Sequence, residues 1–202
     1  MIDDALNWKC HIAFICSRLS RNTGIISKLR HYLSLKQLRQ LYYNLIYPYL
    51  SYAIIAWGST YKTHLKKIQT KQNHVIRLIF FANSYGKETE SAKPLLNILN
   101  ILNVDNIYRL HIFQFTHLWH CGALPNIFNH MFEYASNVHR YNTRYASKQN
   151  FYKGKARTNI GKQTISFMAC DLWSELPVHL KCQNPSSFKK KLKEHLLSTQ
   201  YL

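Results

Sequence analysis

The charge pattern of the first half of the sequence limits what this chain can be more than any motif does. Between residues 5 and 87 there are thirteen Lys or Arg residues and no Asp or Glu. Over all 202 residues, 27 Lys and Arg stand against 9 Asp and Glu, a formal net charge of +18. Each Lys or Arg placed against a phosphate releases condensed counterions, so a surface of this kind attracts nucleic acid. An anionic membrane face would also attract this charge.

Hydrophobic content and cysteine spacing narrow the class of protein. Hydrophobic residues make up 47% of the chain, enough for a packed core. The longest apolar run, residues 45–57, contains Pro48 and falls short of the roughly 20 residues that cross a bilayer. The five cysteines include no CxxC pair, and the first residues do not resemble a secretory signal. We therefore expect no membrane segment, no secretion, and a place in the nucleus or cytoplasm.

Apolar residues recur at helical spacing along the first part of the chain and predict an all-α fold. Two amphipathic stretches are expected on either side of Gly24, and Ser34 is the expected N-cap of a third helix. Pro48 should kink or end that helix. Gly58 suits a helix stop, and the next helix is predicted over about residues 61–81.

Polar residues and prolines divide the rest of the chain. Residues 83–91 are predicted to be a linker, and Asp105 is the expected cap of a helix that ends before Gly122. Residues 134–162 are poor in aliphatic side chains and are predicted to be extended or partly disordered. Ser186 is the expected cap of a last amphipathic helix. The predicted domains are a basic helical bundle (1–85), a smaller helical unit (92–133), and a basic arm with a terminal helix (134–202).

The helix predicted over residues 61–81 has one apolar and one basic face. At about 100° per residue, Leu65, Ile68 and Val75 fall on the apolar arc. The opposite arc carries the predicted nucleic-acid-binding cations Lys62, Lys66, Lys67 and Arg77. Most charged helix faces are simply solvated, but such faces normally mix Glu with Lys, and this one has no acid. The pattern therefore favours contact with phosphates.

The basic arm provides the second set of predicted contacts. Its candidate nucleic-acid-binding residues are Arg140, Tyr141, Arg144, Lys153, Lys155 and Arg157. Exposed aromatic rings near cations suit base stacking without sequence specificity. The rings that lie beside cations are Tyr42, Tyr43, Tyr47, Tyr61, Tyr141, Tyr145, Phe151 and Tyr152. Of these Tyr42 is expected in the core, as is Tyr49, whereas Tyr141, Tyr145 and Tyr152 have little aliphatic company.

No complete catalytic or metal site is predicted. Asp3 and Asp4 are adjacent, but they lead into a helix, where negative charge is favourable, and lack the setting of a polymerase carboxylate pair. His117, His120 and Cys121 match no common zinc spacing, and a packed or partly exposed histidine is the preferred interpretation. The sequence holds no nucleotide-binding glycine motif and no hydrolase or zinc-protease motif. We expect no catalytic residue, no metal, no cofactor and no small-molecule substrate.

Several short motifs resemble, in order, one known family. They are Ile-Asp-Asp-x-Leu-x-Trp-x-x-His-Ile at residues 2–12, Leu-Ile-x-Pro-x-Leu-x-Tyr at 45–52, Trp-Gly at 57–58, His-x-Tyr-x-Thr-Arg at 139–144, Leu-Trp-x-x-Leu-Pro at 172–177 and Phe-Lys-x-x-Leu-Lys at 188–193. Together they resemble the segment after the palm, and the C-terminal tail, of non-LTR (LINE-type, jockey- and CR1-like) retrotransposon reverse transcriptases.

This resemblance implies a thumb-like helical bundle that grips the RNA template and the RNA/DNA hybrid during RNA-directed DNA synthesis. It further implies that the chain begins after the catalytic aspartates, so the palm and fingers are missing partners and the isolated chain is not an enzyme. The alternatives are a transposon remnant without function, a domesticated basic protein-interaction module, and a small sequence-specific DNA-binding protein.

Overall fold

The described residues of this computed structural model are 6–80, 91–138, 141 and 143–200, and they form an all-α fold without a β-strand. One isolated antiparallel bridge joins Tyr134 and Phe151. No helix among these residues is long and apolar enough to cross a membrane. The helices are α1 (Lys9–Leu29), α2 (Leu35–Leu45), α3 (Tyr47–Ser51), α4 (Ile54–Trp57), α5 (Lys62–Phe80), α6 (Ala92–Ile98), α7 (Val104–His120), α8 (Ala135–Val138), α9 (Asn159–Lys162), α10 (Ile165–Glu175), α11 (Val178–Lys181) and α12 (Pro185–Thr199).

The first helix runs through Gly24 without a break, so the predicted separation at this glycine is wrong. Its buried residues are Ile12, Ile15, Leu19, Thr23 and Ile26, which follow one another at intervals of three or four. This stripe continues on both sides of the glycine. Burial of the stripe outweighs the cost of about 1 kcal/mol for glycine inside a helix.

Local signals set the bounds of α2 to α4 as predicted. Ser34 accepts a hydrogen bond from the backbone N–H of Gln37, whose side chain accepts one from the Ser34 backbone N–H in a capping box. Pro48 lies in the first turn of α3, just after α2 ends. Gly58 caps α4 and packs closely on Tyr108, because a Cβ at this position would lie 2.3 Å from Tyr108 Cδ2.

The helix predicted over residues 61–81 is present as α5. Its buried face includes Ile68, Val75, Ile76 and Ile79, which matches the predicted apolar arc. Just before this helix, the hydroxyl of Thr60 donates a hydrogen bond to the carbonyl of Asn7, 3.0 Å away. α5 packs on α1, α2 and α6 and therefore lies at the centre of this part of the fold.

The described residues divide into two compact units. The first contains the described residues up to Tyr108 and from Leu196 onward, and the second is Arg109–His195. The predicted domains, 1–85, 92–133 and 134–202, follow a different division. α6 packs on α5 and buries Leu95 and Leu96. Residues 91–108 therefore belong with the first unit. The predicted linker lies outside the described residues except for Ser91, which caps α6.

The caps of the two later long helices differ from the prediction by one or two residues. The Asn103 side chain accepts the backbone N–H of Asn106 at 2.7 Å, so Asn103 caps α7 and Asp105 lies in its first turn. Gly122 follows α7 with a φ of +66°, the left-handed conformation expected at a helix end. α12 begins at Pro185, and Ser186 is part of its first turn rather than its cap.

The second unit is built around aromatic side chains. Phe151 is fully buried and stacks on Phe132 and Trp173, with ring centroids 5.1 and 5.3 Å away. Trp119 meets Phe151 edge-on at 5.3 Å, and Tyr134 lies at the same distance. The expectation that residues 134–162 are extended or partly disordered is therefore wrong where this aromatic cluster forms, whereas residues 152–157 have no helix or strand and are mostly exposed. Aromatic rings supply the burial that the missing aliphatic side chains cannot.

Candidate nucleic-acid interface

Two of the predicted cations of α5 lie together on one exposed face. Lys62 and Lys66 are both exposed, and neither ammonium has a partner within the described ranges. They are four residues apart, so their side chains are neighbours on the helix. The absence of acids between residues 5 and 87 leaves these charges free of local ion pairs. Together they form a pair of cations that a phosphate can approach.

The other two predicted cations of α5 do not join this pair. Lys67 lies on the side of α5 that faces α1, where its charge and that of Lys71 oppose the rise in the pKa of the Cys16 thiol caused by burial. Arg77 is half-buried and has an interaction partner of its own. At about 1.5 Å per residue it also lies roughly 16 Å along the helix from Lys66. The structure therefore divides the predicted strip into Lys62 with Lys66, Lys67 with Lys71, and a separate Arg77.

A cleft of about 450 Å³ opens beside Lys62 and Lys66 within the first unit. Lys93 lies on its rim together with Asp105, and each of these two has an interaction partner of its own. The remaining lining residues are Leu65, Gln69, Asn73, Asn103 and Val104. Cations thus surround a lining in which two apolar side chains lie among three side-chain amides.

Hydrogen bonds to the backbone fix the orientation of the amides behind the cleft. The backbone N–H of Val104 donates to Gln69 Oε1 at 2.9 Å, so the other end of Gln69 is a donor. That Nε2 donates to Gln72 Oε1 at 2.8 Å and to Asn73 Oδ1 at 2.7 Å. Gln72 is fully buried, and its own Nε2 donates to the Leu102 carbonyl at 2.8 Å. Every amide in this series therefore has one possible orientation.

The same series reaches the core of the first unit. Gln72 Nε2 also donates to the hydroxyl of Tyr42 at 2.8 Å. Tyr42 is fully buried, as the sequence predicted, and burial raises the pKa of its hydroxyl while the bond from Gln72 opposes that rise. Since each buried polar atom in this network is paired, the cleft has a rigid support.

A second groove with cations lies between α1 and α5. It has a volume of about 320 Å³, and the residues that line it are Ser20, Thr23, Gly24, Ser27, Lys71, His74 and Leu78. The hydroxyl of Thr23 donates a hydrogen bond to the carbonyl of Leu19 at 2.6 Å. The groove thus presents small side chains and two basic ones on the side of α5 where Lys67 lies.

The candidates of the basic arm belong to the second unit, and one of them is engaged there. Lys153 contacts both carboxylate oxygens of Asp171, at 2.6 and 2.7 Å, and lies over the ring of Phe167 at 4.1 Å. Arg144, Lys155 and Arg157 are exposed. Arg140 lies outside the described residues.

The aromatic candidates of the arm have different environments. Tyr141 is 82% exposed, whereas Phe151 is fully buried, so the suggestion that Phe151 stacks on a base is wrong. Tyr145 is part-exposed, and its hydroxyl donates to the carbonyl of Phe151 at 3.1 Å. Tyr152 is also part-exposed. A base can reach the whole face of Tyr141 alone among these four rings.

A buried lysine in the second unit was not anticipated. Lys181 is 1% exposed, and its Nζ donates to Asn150 Oδ1 at 2.7 Å and to the Lys148 carbonyl at 3.1 Å. It lies 5.2 Å from the centre of the Trp173 ring. Burial, and next the charge of Lys148, lower its pKa to about 8, while Cys182 opposes the shift. Nothing in the local sequence distinguishes this lysine from the exposed ones.

The histidines near the end of α7 pack against aromatic rings. His117 is buried and stacks on Phe188, with ring centroids 3.8 Å apart, and burial lowers its pKa. His120 Nδ1 lies 2.6 Å from the Tyr134 hydroxyl. Within the described ranges no group of three His, Cys, Asp or Glu residues could hold a metal ion. The interpretation of His117 as a packed histidine is confirmed.

The comparisons with known proteins give no relative: no family model, curated protein or solved structure matches the chain.

Proposed function

We propose that this chain binds nucleic acid through the first unit and holds an RNA template with its DNA primer, as the thumb of a non-LTR reverse transcriptase does. The supporting observation is the exposed pair Lys62 and Lys66, whose ammonium groups have no protein partner in the described part of the chain. In this proposal the chain is not an enzyme by itself. The palm and fingers supply the catalytic carboxylates, and the site of action is the nucleus or the cytoplasm.

The physical basis of the proposal is counterion release. Two lysines that meet phosphates displace condensed cations, so affinity falls as salt rises, without sequence preference. A net charge of +18 adds long-range attraction and rapid association. Binding of this kind positions a strand, and it suits a segment that must follow a moving template.

The second unit adds weaker contacts in this proposal. Arg144, Lys155 and Arg157 are exposed and can meet phosphates of the RNA. Tyr141 offers a ring on which a base can stack, and such stacking is worth about 1–3 kcal/mol per base. Lys153 contributes less, because Asp171 already neutralises it.

Charge reversal tests the proposal. In the full chain, Lys62→Glu together with Lys66→Glu should weaken binding of a fluorescent RNA/DNA hybrid at least about tenfold at low salt, and should reduce the salt dependence by about two phosphate contacts. Fluorescence anisotropy measures both quantities between about 50 and 200 mM salt.

Lys36 provides the control, since it is exposed on α2 and lies away from the cleft. Two charge reversals elsewhere should weaken binding only through net charge, so Lys36→Glu is paired with Lys28→Glu, an exposed residue of α1. Equal losses in the two double variants would refute a specific role for Lys62 and Lys66. Circular dichroism checks that both variants keep their helices.

A further inference from the structure

The cleft beside α5 presents hydrogen-bond donors to a ligand. Asn73 Oδ1 already accepts from Gln69, and Asn103 Oδ1 already accepts the backbone N–H of Asn106. The side-chain amino groups of both asparagines remain available, since neither has another partner in the described part of the chain. Lys62 and Lys66 add ammonium groups, which can only donate. The side-chain nitrogen groups of these four residues are therefore unused donors, and each asparagine oxygen keeps one lone pair beside the bond that it already accepts.

This polarity is set by the backbone and cannot reverse by a simple amide flip. The N–H of Asn106 requires an oxygen from Asn103, and the N–H of Val104 requires one from Gln69. A flip of Asn73 would place its amino group against Gln69 Nε2, so two donors would face each other. The donor character of the cleft is thus a property of the folded chain.

Shape and apolar lining limit the ligand further. A volume of about 450 Å³ is in the range of small-molecule sites and suits one nucleotide rather than a duplex. Leu65, which is half-buried, contributes apolar surface against which a planar ring can lie. The lysines on the rim are suited to hold the attached phosphate.

We propose that this cleft takes one unpaired nucleotide whose base carries carbonyl oxygens, uracil or thymine, with its phosphate at Lys62 and Lys66 and its base oxygens at the amino groups of Asn73 and Asn103. The proposal rests on the proposed function, and adds to it a preference among bases. Uracil offers a carbonyl oxygen at the position where cytosine has an amino group. At the position where uracil oxygen would accept from Asn73 or Asn103, the amino group of cytosine would instead bring two donors together.

The carboxylate of Asp105 on the rim is the one acidic group among the lining residues. It has an interaction partner of its own and lies in the first turn of α7, where negative charge is favourable. If Asp105 read the base instead, it would accept from an amino group and favour cytosine. The two readings therefore predict opposite base preferences.

The test compares single-stranded oligouridylate with oligocytidylate of equal length, each bound to the full chain and followed by fluorescence anisotropy. We expect oligouridylate to bind about five to ten times more tightly, the gain expected from one or two matched hydrogen bonds. Equal affinity, or tighter binding of oligocytidylate, would overturn the inference. If both strands bind equally and the lysine pair still governs affinity, the proposed function survives without it. If neither strand nor the hybrid binds, both proposals fail.

Two isosteric substitutions locate the preference. Asn73→Asp and Asn103→Asp keep the oxygens that accept from Gln69 and from the Asn106 backbone, but replace each free amino group by an oxygen. Each should reduce the ratio of uridylate to cytidylate affinity to below about twofold. Asn44→Asp is the matched control, since Asn44 is exposed on α2 away from the cleft, and it should leave the ratio unchanged. A ratio that survives in both cleft variants would overturn the assignment.

A competition experiment separates the two sources of this ligand. Uridine monophosphate that displaces the labelled strand at millimolar concentration, with cytidine monophosphate much weaker, would show that the nucleotide alone carries the preference. If neither monophosphate displaces the labelled strand while the strands keep their preference, the neighbouring phosphates are also needed. Both outcomes support the cleft, whereas displacement by both monophosphates to the same extent would overturn it.

Discussion

Both units carry many cations, but they engage them differently. In the first, Lys62 and Lys66 have no partner within the described ranges. In the second, Lys153 pairs with Asp171, Arg109 pairs with Glu175 at 2.9 Å, and Lys181 is buried. The difference follows from the acids, since residues 5–87 have none. Lys62 and Lys66 thus stay unpaired, although Asp105 lies on the rim of the same cleft, where that carboxylate has an interaction partner of its own.

The cores of the two units differ as well. The first unit buries mainly aliphatic residues, such as Ile15, Leu19 and Ile79, and one chain of amides around Gln72. The second unit buries stacked rings around Phe151. Large rings supply much apolar area per residue, so the second unit depends on fewer side chains.

Removal of the central ring of the second unit should have the largest effect. Phe151→Ala should lower the free energy of unfolding by about 3–5 kcal/mol, because it leaves a cavity among Phe132, Trp119 and Trp173. Urea denaturation followed by tryptophan fluorescence measures the loss. Tyr141→Ala, at an exposed ring, should change stability by less than about 0.5 kcal/mol. Similar losses in the two variants would mean that the aromatic cluster does not stabilise this unit.

The buried lysine should make stability depend on pH. Its pKa is lowered to about 8 from 10.5, so between these values the unfolded chain holds a proton that the folded chain has released. The free energy of unfolding should therefore rise with pH from about 8 to 10. Below pH 8 Lys181 is protonated in both states, so it adds no pH dependence there. Relative to Lys181→Met, the unaltered chain should gain about 1–3 kcal/mol across that range. Cysteines and tyrosines titrate in both proteins, so their effects cancel in this comparison. Parallel pH profiles would therefore contradict the prediction for Lys181.

Neutralising one unpaired and one paired lysine of the second unit should affect binding of the hybrid to different extents. Lys155→Gln should reduce the salt dependence of hybrid binding by about one phosphate contact, because Lys155 is exposed and has no partner in the described residues. Lys153→Gln should reduce it by much less, because Asp171 already holds that ammonium group. The two variants lose the same net charge, so long-range attraction changes equally. A larger change in Lys153→Gln would reverse the assignment of the paired and unpaired roles.

Substitutions at Gly24 and at Gly58 should change the free energy of unfolding in opposite directions. Gly24→Ala should raise the free energy of unfolding by about 0.5–1 kcal/mol, because Gly24 is helical and an added Cβ meets nothing within 4 Å. Gly58→Ala should instead lower it, because its Cβ would overlap Tyr108. Thermal unfolding of both variants measures the two changes. A loss in Gly24→Ala would show that the open groove beside it is needed in the folded state.

The sequence predicted the fold class and most of the long helices because these depend on local patterns. Ser34, Pro48 and Gly122 act within a few residues of their own position, and so their effects could be anticipated. The separation predicted at Gly24 is wrong, because Leu19 and Ile26 are buried on either side of it and α1 is continuous. Tertiary packing of this kind outweighs the propensity of a single residue.

The candidate site could be predicted only in part from the sequence. A helical wheel placed Lys62 and Lys66 on one face, and the structure agrees. The same wheel joined Lys67 and Arg77 to them, because it ignores what packs on each side of the helix. Asn103 and Lys93 lie beyond the predicted linker, and no periodicity relates them to α5. Their approach to the cleft depends on the packing of α6, which a single sequence does not reveal.

The contact between Gly58 and Tyr108 has a consequence for how this chain tolerates change. It joins positions fifty residues apart, at a place where the backbone of one meets the ring of the other with no room for a methyl group. Most exposed lysines can be exchanged without such a conflict. Among related chains, the exposed lysines should therefore vary much more than this position. We expect Gly58 to be retained as glycine.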